Sequence, residues 1–212
     1  MNAYLHRSEN RGHVKAGWLD TYHSFSFGSW YNPKYMGVSA LRVINDDTVA
    51  AHNGFGTHPH DNMEILTCVL DGTISHKDSM GNVATVSAGE FQIMSAGTGI
   101  THSEFNPLPE QALHLYQIWI LPSMAKVTPR YAQQRFDAPR GRQLILSPDV
   151  EAGSLRVYQD MRLWRWAFEP REQEQEFPLA QGRHLWLQGV RGEVLVDGQL
   201  LTAGDGLAIW DE

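Results

Sequence analysis

The chain has 212 residues, 42% of them hydrophobic, and sets 17 Lys and Arg against 24 Asp and Glu for a formal net charge of -7. That is enough apolar material for a sizeable core in one large domain or two small ones. No basic run occurs, so the electrostatic footprint of a direct nucleic-acid binder is missing, and no apolar window has the length of a membrane span or of a secretory leader. The expectation is a soluble, cytoplasmic protein. The single cysteine, Cys68, cannot form an internal disulfide, which agrees with a reducing compartment. Within ILTCVL it reads as a small buried hydrophobe rather than a reactive thiol.

From Gly37 onward the chain consists of short β-rich runs punctuated by glycine: VSALRVI, EILTCVL, GTISHKD, NVATVS, EFQIMS and LHLYQIWI. Their β-branched and aromatic content, with the turn clusters NDD and DSMGN, predicts antiparallel strands joined by hairpins. No long stretch has helical periodicity. Residues 123–142 are polar and bracketed by prolines, which marks a connector. Beyond it the strand pattern resumes with LILSP, SLRVYQD, RLWRWAF, HLWLQGV, GEVLVD and GLAIWD. The expected fold class is all-β: one barrel over 1–122, a connector over 123–142 and a second barrel over 143–212.

The two halves resemble each other. Setting residues 69–95 beside 189–211 pairs Gly72 with Gly192 and Gly89 with Gly204, each at a turn expected to need positive φ. The positions matching His58 and His60 are then Pro178 and Ala180, and Glu212 precedes the position matching His102. Whatever these histidines do is therefore expected of the first half alone, with the second barrel less regular and incomplete.

His58 and His60 stand one residue apart in GFGTHPHDNME, and His102 and Glu104 repeat that relation in GITHSEFN. Alternate residues of a strand share a face, so each pair projects together. On facing strands the two pairs can bring three imidazoles and one carboxylate to one point. That donor set suits a divalent transition metal such as iron, copper, nickel, manganese, cobalt or zinc, with positions left for water or substrate. His6, His13, His23, His52, His76, His114 and His184 lack such pairing and read as surface or hydrogen-bonded core groups.

Gly54 or Gly56 before His58-x-His60, then Glu64 and Gly72, resembles the first cupin motif, and Gly89, Gly97, His102 and Asn106 resemble the second. More narrowly, YHSFSFGSWYNP, HPHDNMEILTCVLDG, HKDSMGN and MSAGTGITHSE resemble the pirin family of bicupins, whose bacterial members include quercetinases. The resemblance covers nearly the whole chain. It implies two tandem jelly-roll-like cupin barrels and one mononuclear metal, usually iron, on His58, His60, His102 and Glu104. Many mononuclear cupins instead take the glutamate of the first motif, here Glu64. The pirin pattern favours Glu104 and leaves Glu64 to orient a histidine or an entering ligand.

The activity implied is cleavage of flavonols such as quercetin by dioxygen with release of carbon monoxide, with Glu104 as the base. Phe55, Met94, Ile100 and Phe105 could line a pocket for this small aromatic substrate or belong to the barrel core. The family also includes transcriptional coregulators, which implies a second reading: an iron-dependent regulatory or redox-sensing module that binds a protein partner. A third is a cupin enzyme acting on a different enol. No direct nucleic-acid or membrane partner is expected.

Overall fold

The structure is a computed structural model that describes residues 2–137, 140–169 and 175–211. Residues 138–139 of the expected connector, and Glu212 at the expected end of the second barrel, lie outside the described residues. The first half contributes β1 (Asn2–His6), β2 (Gly12–Ala16), β3 (Leu19–His23), β4 (Leu41–Val49), β5 (Gly54–His60) and β6 (Glu64–Asp71). It continues with β7 (Thr73–Asp78), β8 (Val83–Ser87), β9 (Glu90–Ser95), β10 (Ile100–Phe105) and β11 (Leu113–Ile120). β12 (Arg130–Arg135) falls inside the expected connector. Then come β13 (Gly141–Ser147), β14 (Leu155–Arg156), β15 (Leu163–Ala167), β16 (His184–Gln188), β17 (Glu193–Val196), β18 (Gln199–Thr202) and β19 (Gly206–Trp210). Helix among the described residues is confined to two short 3-10 turns, and no helix is long and apolar enough to cross a membrane. The fold is all-β, as expected.

The central element is a seven-stranded sheet of order β12-β9-β6-β11-β4-β3-β2. One face closes on a four-stranded sheet, β5-β10-β7-β8, through a core in which Val69 and Leu115 meet Ile74 and Val86. The other face packs against the second half, where Leu66, Phe91 and Ile93 share a cluster with Ile145, Leu146 and Val157. β6 is thus covered on both sides, which is why ILTCVL is a continuous apolar run rather than an alternating one. Ile65, Thr67 and Val69 face the first barrel, whereas Glu64, Leu66 and Cys68 face the second half. Burial pushes the partly buried Cys68 thiol up to about 12, consistent with an unreactive packing role.

The internal repeat is visible in the strand pairing. The antiparallel β6–β9 pair with its β7–β8 hairpin recurs as β16–β19 with β17–β18. Gly72, Gly89, Gly192 and Gly204 all have positive φ, between 68° and 87°. The correspondence stops upstream of β16, since Pro178 and Ala180 lie in irregular chain where the first half has β5.

Three features depart from the sequence reading. β1 crosses to the second half and pairs with β19, from Asn2 opposite Trp210 to His6 opposite Gly206. β12 pairs with β9 along its whole length and extends the first half's sheet. The cluster NDD, expected to be a turn, lies in the middle of β4. Turn propensity is overridden there because each side chain meets a partner from another strand. Asn45 bonds His23 at 2.8 Å, and Asp47 points into the barrel against Thr21. Asp46 accepts from Arg11 at 2.9 Å, His114 at 2.7 Å and the Tyr116 hydroxyl at 3.1 Å.

Because the Arg11 and Asp46 side chains are only 8% and 16% exposed, removing one leaves the other's charge largely uncompensated. Asp46→Ala is expected to lower unfolding stability in urea by roughly 3 kcal/mol. Asp46→Asn, which keeps part of the bonding, should lose less. Equal midpoints for Asp46→Ala and the parent chain would show that this network does not hold β4 in place.

Candidate metal centre

β5 and β10 run antiparallel with His58 opposite His102 and His60 opposite Ile100. Their close approach depends on Gly54, where a Cβ would come within 2.2 Å of the Glu104 carbonyl oxygen. The pairing slips by a bulge between His102 and Glu104, which re-aims the side chains on either side of it. The Nε2 atom of His102 ends 3.0 Å from Nε2 of His58 and 3.1 Å from Nε2 of His60.

The protonation of this cluster follows from its surroundings. His58 Nδ1 donates to the Gly56 carbonyl at 2.7 Å, so in the neutral ring its Nε2 is a bare lone pair. Burial, reinforced by the neighbouring His58, pulls His60 down to about 4. Burial, then His58 and His60, pulls His102 down to about 3. Both are therefore neutral at physiological pH, the state in which imidazole ligates metals. With metal–nitrogen bonds of about 2.1 Å, ligands at right angles lie about 3.0 Å apart and tetrahedral ones about 3.4 Å. The two spacings from His102 are those expected of ligands at right angles on one metal ion.

Glu104 projects from β10 into the barrel interior. Its Oε1 accepts from Gln92 Nε2 at 2.9 Å and Thr67 Oγ1 at 3.3 Å, and its Oε2 accepts from Gln117 Nε2 at 2.7 Å. Burial, with a contribution from the charge of Asp47, pushes its carboxyl up to about 7 despite these three donors. Its ligating atom groups within 4.8 Å with those of His102 and His76, whereas His58, His60 and His102 form a separate group at the same spacing. The two groups share His102.

Glu64 lies elsewhere. It accepts from Ser95 Oγ at 2.9 Å and from the Tyr158 backbone N–H at 3.3 Å, on the face of β6 turned to the second half. Strand alternation does not carry from His60 to Glu64, because β5 ends at His60 and the chain turns before β6 begins. Of the expected pocket residues, Met94 is core, Ile100 is buried but borders a recess of about 430 Å³ together with His60, Phe55 packs edge-on against Trp18 and lies 6.5 Å from the His58 ring, and Phe105 is exposed. A further aromatic side chain against the histidines is Trp119, whose ring lies 4.9 Å from that of His60 and 5.3 Å from that of Phe27. Trp119 and Phe27 border a recess of about 300 Å³ with Trp30, Met63 and Arg42.

Sequence reasoning passed over His76, which is buried beside His102 with its Nε2 3.1 Å from Asp78 Oδ2. The signal was present in the alternation of His76 and Asp78 within ISHKD, the same one-residue relation that singled out His102 and Glu104. It lacked weight because Asp78 also reads as the first residue of a turn.

Comparison with known proteins gives this geometry a lineage. Residues 5–120 match the Pirin family, and residues 144–212 match the quercetinase C-terminal cupin domain. The quercetin 2,3-dioxygenase of Escherichia coli K12 is 58% identical over 209 residues, covering 99% of this chain and 90% of the relative. A putative quercetin 2,3-dioxygenase of Pasteurella multocida is 49% identical over 210 residues, with the same coverage. The crystal structure of E. coli YhhW superposes with a TM-score of 0.96 at 58% identity, covering 100% of this chain and 90% of that one. A second structure of that bacterial pirin, in complex with nickel(II), gives 0.96 at 57% identity over 100% and 91%. A likeness this close, spanning both halves, makes the chain a member of the pirin family, built from two cupin domains.

Proposed function

We propose that this protein is a metal-dependent dioxygenase that cleaves flavonols such as quercetin with release of carbon monoxide. Its proposed centre is one divalent transition metal on His58, His60 and His102, with Glu104 as the carboxylate of the set. The observation that carries the reading is the convergence of three imidazoles, with Nε2 spacings of 3.0 and 3.1 Å from His102 to His58 and His60. The metal we assign is iron, the usual metal of the family. The nickel(II) complex of the E. coli relative makes nickel the first alternative, and imidazole and carboxylate donors also accept copper, manganese, cobalt or zinc.

A divalent metal bound here supplies Lewis acidity, which lowers the pKa of a substrate hydroxyl. The residues of the chain do the rest. Glu104, with its carboxyl near 7, is suited to accept the hydroxyl proton at neutral pH. Gln92 and Gln117 hold its two oxygens from β9 and β11, the two strands that flank β6 in the seven-stranded sheet. The recess beside Trp119 offers flat apolar surface next to His60, the kind of wall an aromatic ring requires.

Protein purified without chelator should carry close to one transition metal per chain, and His58→Ala or His102→Ala should lose it. Parent protein free of metal under those conditions would refute the centre. Metal-loaded protein should bleach the quercetin absorbance band with oxygen uptake and release of carbon monoxide. If quercetin persists, the dioxygenase reading fails and the iron-dependent regulatory role, with a protein partner, takes its place.

Glu104 also makes a pH-dependent contribution to stability. Its folded-state value of about 7 lies above the reference value of 4.5, so the stability it confers is complete below pH 4.5 and lost as pH rises through 7. Glu104→Gln cannot ionise, and Gln117, whose Oε1 has no partner among the described residues, can rotate its amide to match it. Metal-free Glu104→Gln should therefore gain on the metal-free parent as the pH rises, by up to on the order of 3 kcal/mol at about pH 8. A difference that stays flat across this range in denaturant titrations would show that the carboxyl is not perturbed.

A further inference from the structure

A fourth imidazole stands behind the three-histidine face. The His76 side chain, on β7, is fully buried; its ring stacks 4.6 Å from that of Tyr131 on β12 and lies 5.4 Å from that of His102. Its Nε2 donates to Asp78, so in the neutral ring its Nδ1 is an acceptor. That Nδ1 has no hydrogen-bond partner among the described residues, and neither has Nδ1 of His102.

The two unpaired nitrogens are complementary. With Nε2 of His102 turned to the metal, the remaining proton of that ring resides on Nδ1, which is then a donor. Unpaired buried polar atoms are rare in folded proteins because each has given up its hydrogen bonds to water without replacement. His76, His102 and Glu104 each place a ligating atom within 4.8 Å of the other two. Side chains whose polar atoms approach one another this closely leave room for one small molecule to touch all three.

We propose that His76 is a positioning residue of the metal centre, acting through one water molecule that bridges His76 Nδ1, His102 Nδ1 and a carboxylate oxygen of Glu104. The water accepts from His102 Nδ1–H and donates one proton to His76 Nδ1 and the other to Glu104, so every group has its partner. Asp78 holds the His76 ring in the tautomer that receives this bond. Asp78 is itself fixed by the Met80 and Asn82 backbone N–H groups at 2.9 and 3.0 Å, which ties the metal centre to the DSMGN turn. The inference rests on the metal-centre reading given above. It extends that reading to a residue outside the ligand set.

Three substitutions separate this role from simple packing. His76→Leu removes both bonds, His76→Asn can keep an acceptor near the Nδ1 position, and His76→Gln can keep a donor near the Nε2 position. In nickel(II) titrations of folded protein, with thermal melts as the control, His76→Leu should weaken binding roughly 10–100-fold at unchanged one-to-one stoichiometry. Asn should recover most of the loss and Gln little of it. Recovery by Gln but not Asn would show that His76 serves only Asp78, and equal affinity of parent and His76→Leu would overturn the inference while leaving the centre intact. Two nickel ions per parent chain and one in His76→Leu would replace the water with a second cation. A parent chain that binds no nickel would overturn the centre and this inference together. If His76→Leu does not fold, nitrogen-15 spectra of the zinc-loaded parent decide: His102 protonated on Nδ1 and His76 on Nε2 are expected, and His76 protonated on Nδ1 is incompatible with the bridge.

Discussion

A β-sheet covered on both faces gives its polar side chains no water to turn to, so each must find a partner inside the protein or be absent. The seven-stranded sheet is in that position, and the arrangement of the centre follows from it. On the outer face the polar exception on β6 is Glu64, held by Ser95 and the Tyr158 backbone. On the inner face Thr67, Gln92 and Gln117 converge on Glu104 from three strands. The barrel thus contains a polar interior that begins at the histidines of β5 and β10 and ends at Asp47, whose carboxyl burial also pushes up to about 7.

The histidines depend on the same enclosure. Desolvation keeps His60 and His102 neutral, and the Gly56 carbonyl selects the tautomer of His58, so lone pairs rather than protons meet at the centre. Three imidazoles this close would repel one another if protonated, so a cation is the natural occupant of the space between them. The surrounding aromatic side chains serve shape more than charge. Trp119 fixes one flank of His60, and Tyr131 stacks on His76 from a strand that belongs to the connector by sequence.

Much of this was legible from local pattern. Strand runs, hairpin clusters and the four repeated glycines depend on near neighbours and on backbone conformations that glycine alone tolerates well, so they can be read without knowing the fold. The pairing of His58 with His60, and of His102 with Glu104, is equally local because strand alternation is. What escaped depends on partners far away in sequence. NDD is a strand because Arg11, His23, His114 and Tyr116 reach it. β12 is a strand because β9 offers it an edge, and β1 because β19 does. The side on which Glu64 lies was not legible, because alternation is lost across the turn between β5 and β6, where no residue pattern carries the phase.

The sequence by itself determined that the chain is all-β and duplicated, and that one half carries the two pairs of candidate ligands, since these follow from residue type and a two-residue period. Only the tertiary structure decided which carboxylate faces the histidines, which aromatic ring walls them, and that His76 stands behind them. Those outcomes depend on strand order, on a bulge in β10 and on the second half covering one face of the central sheet. They are properties of how strands meet, and no single strand encodes them.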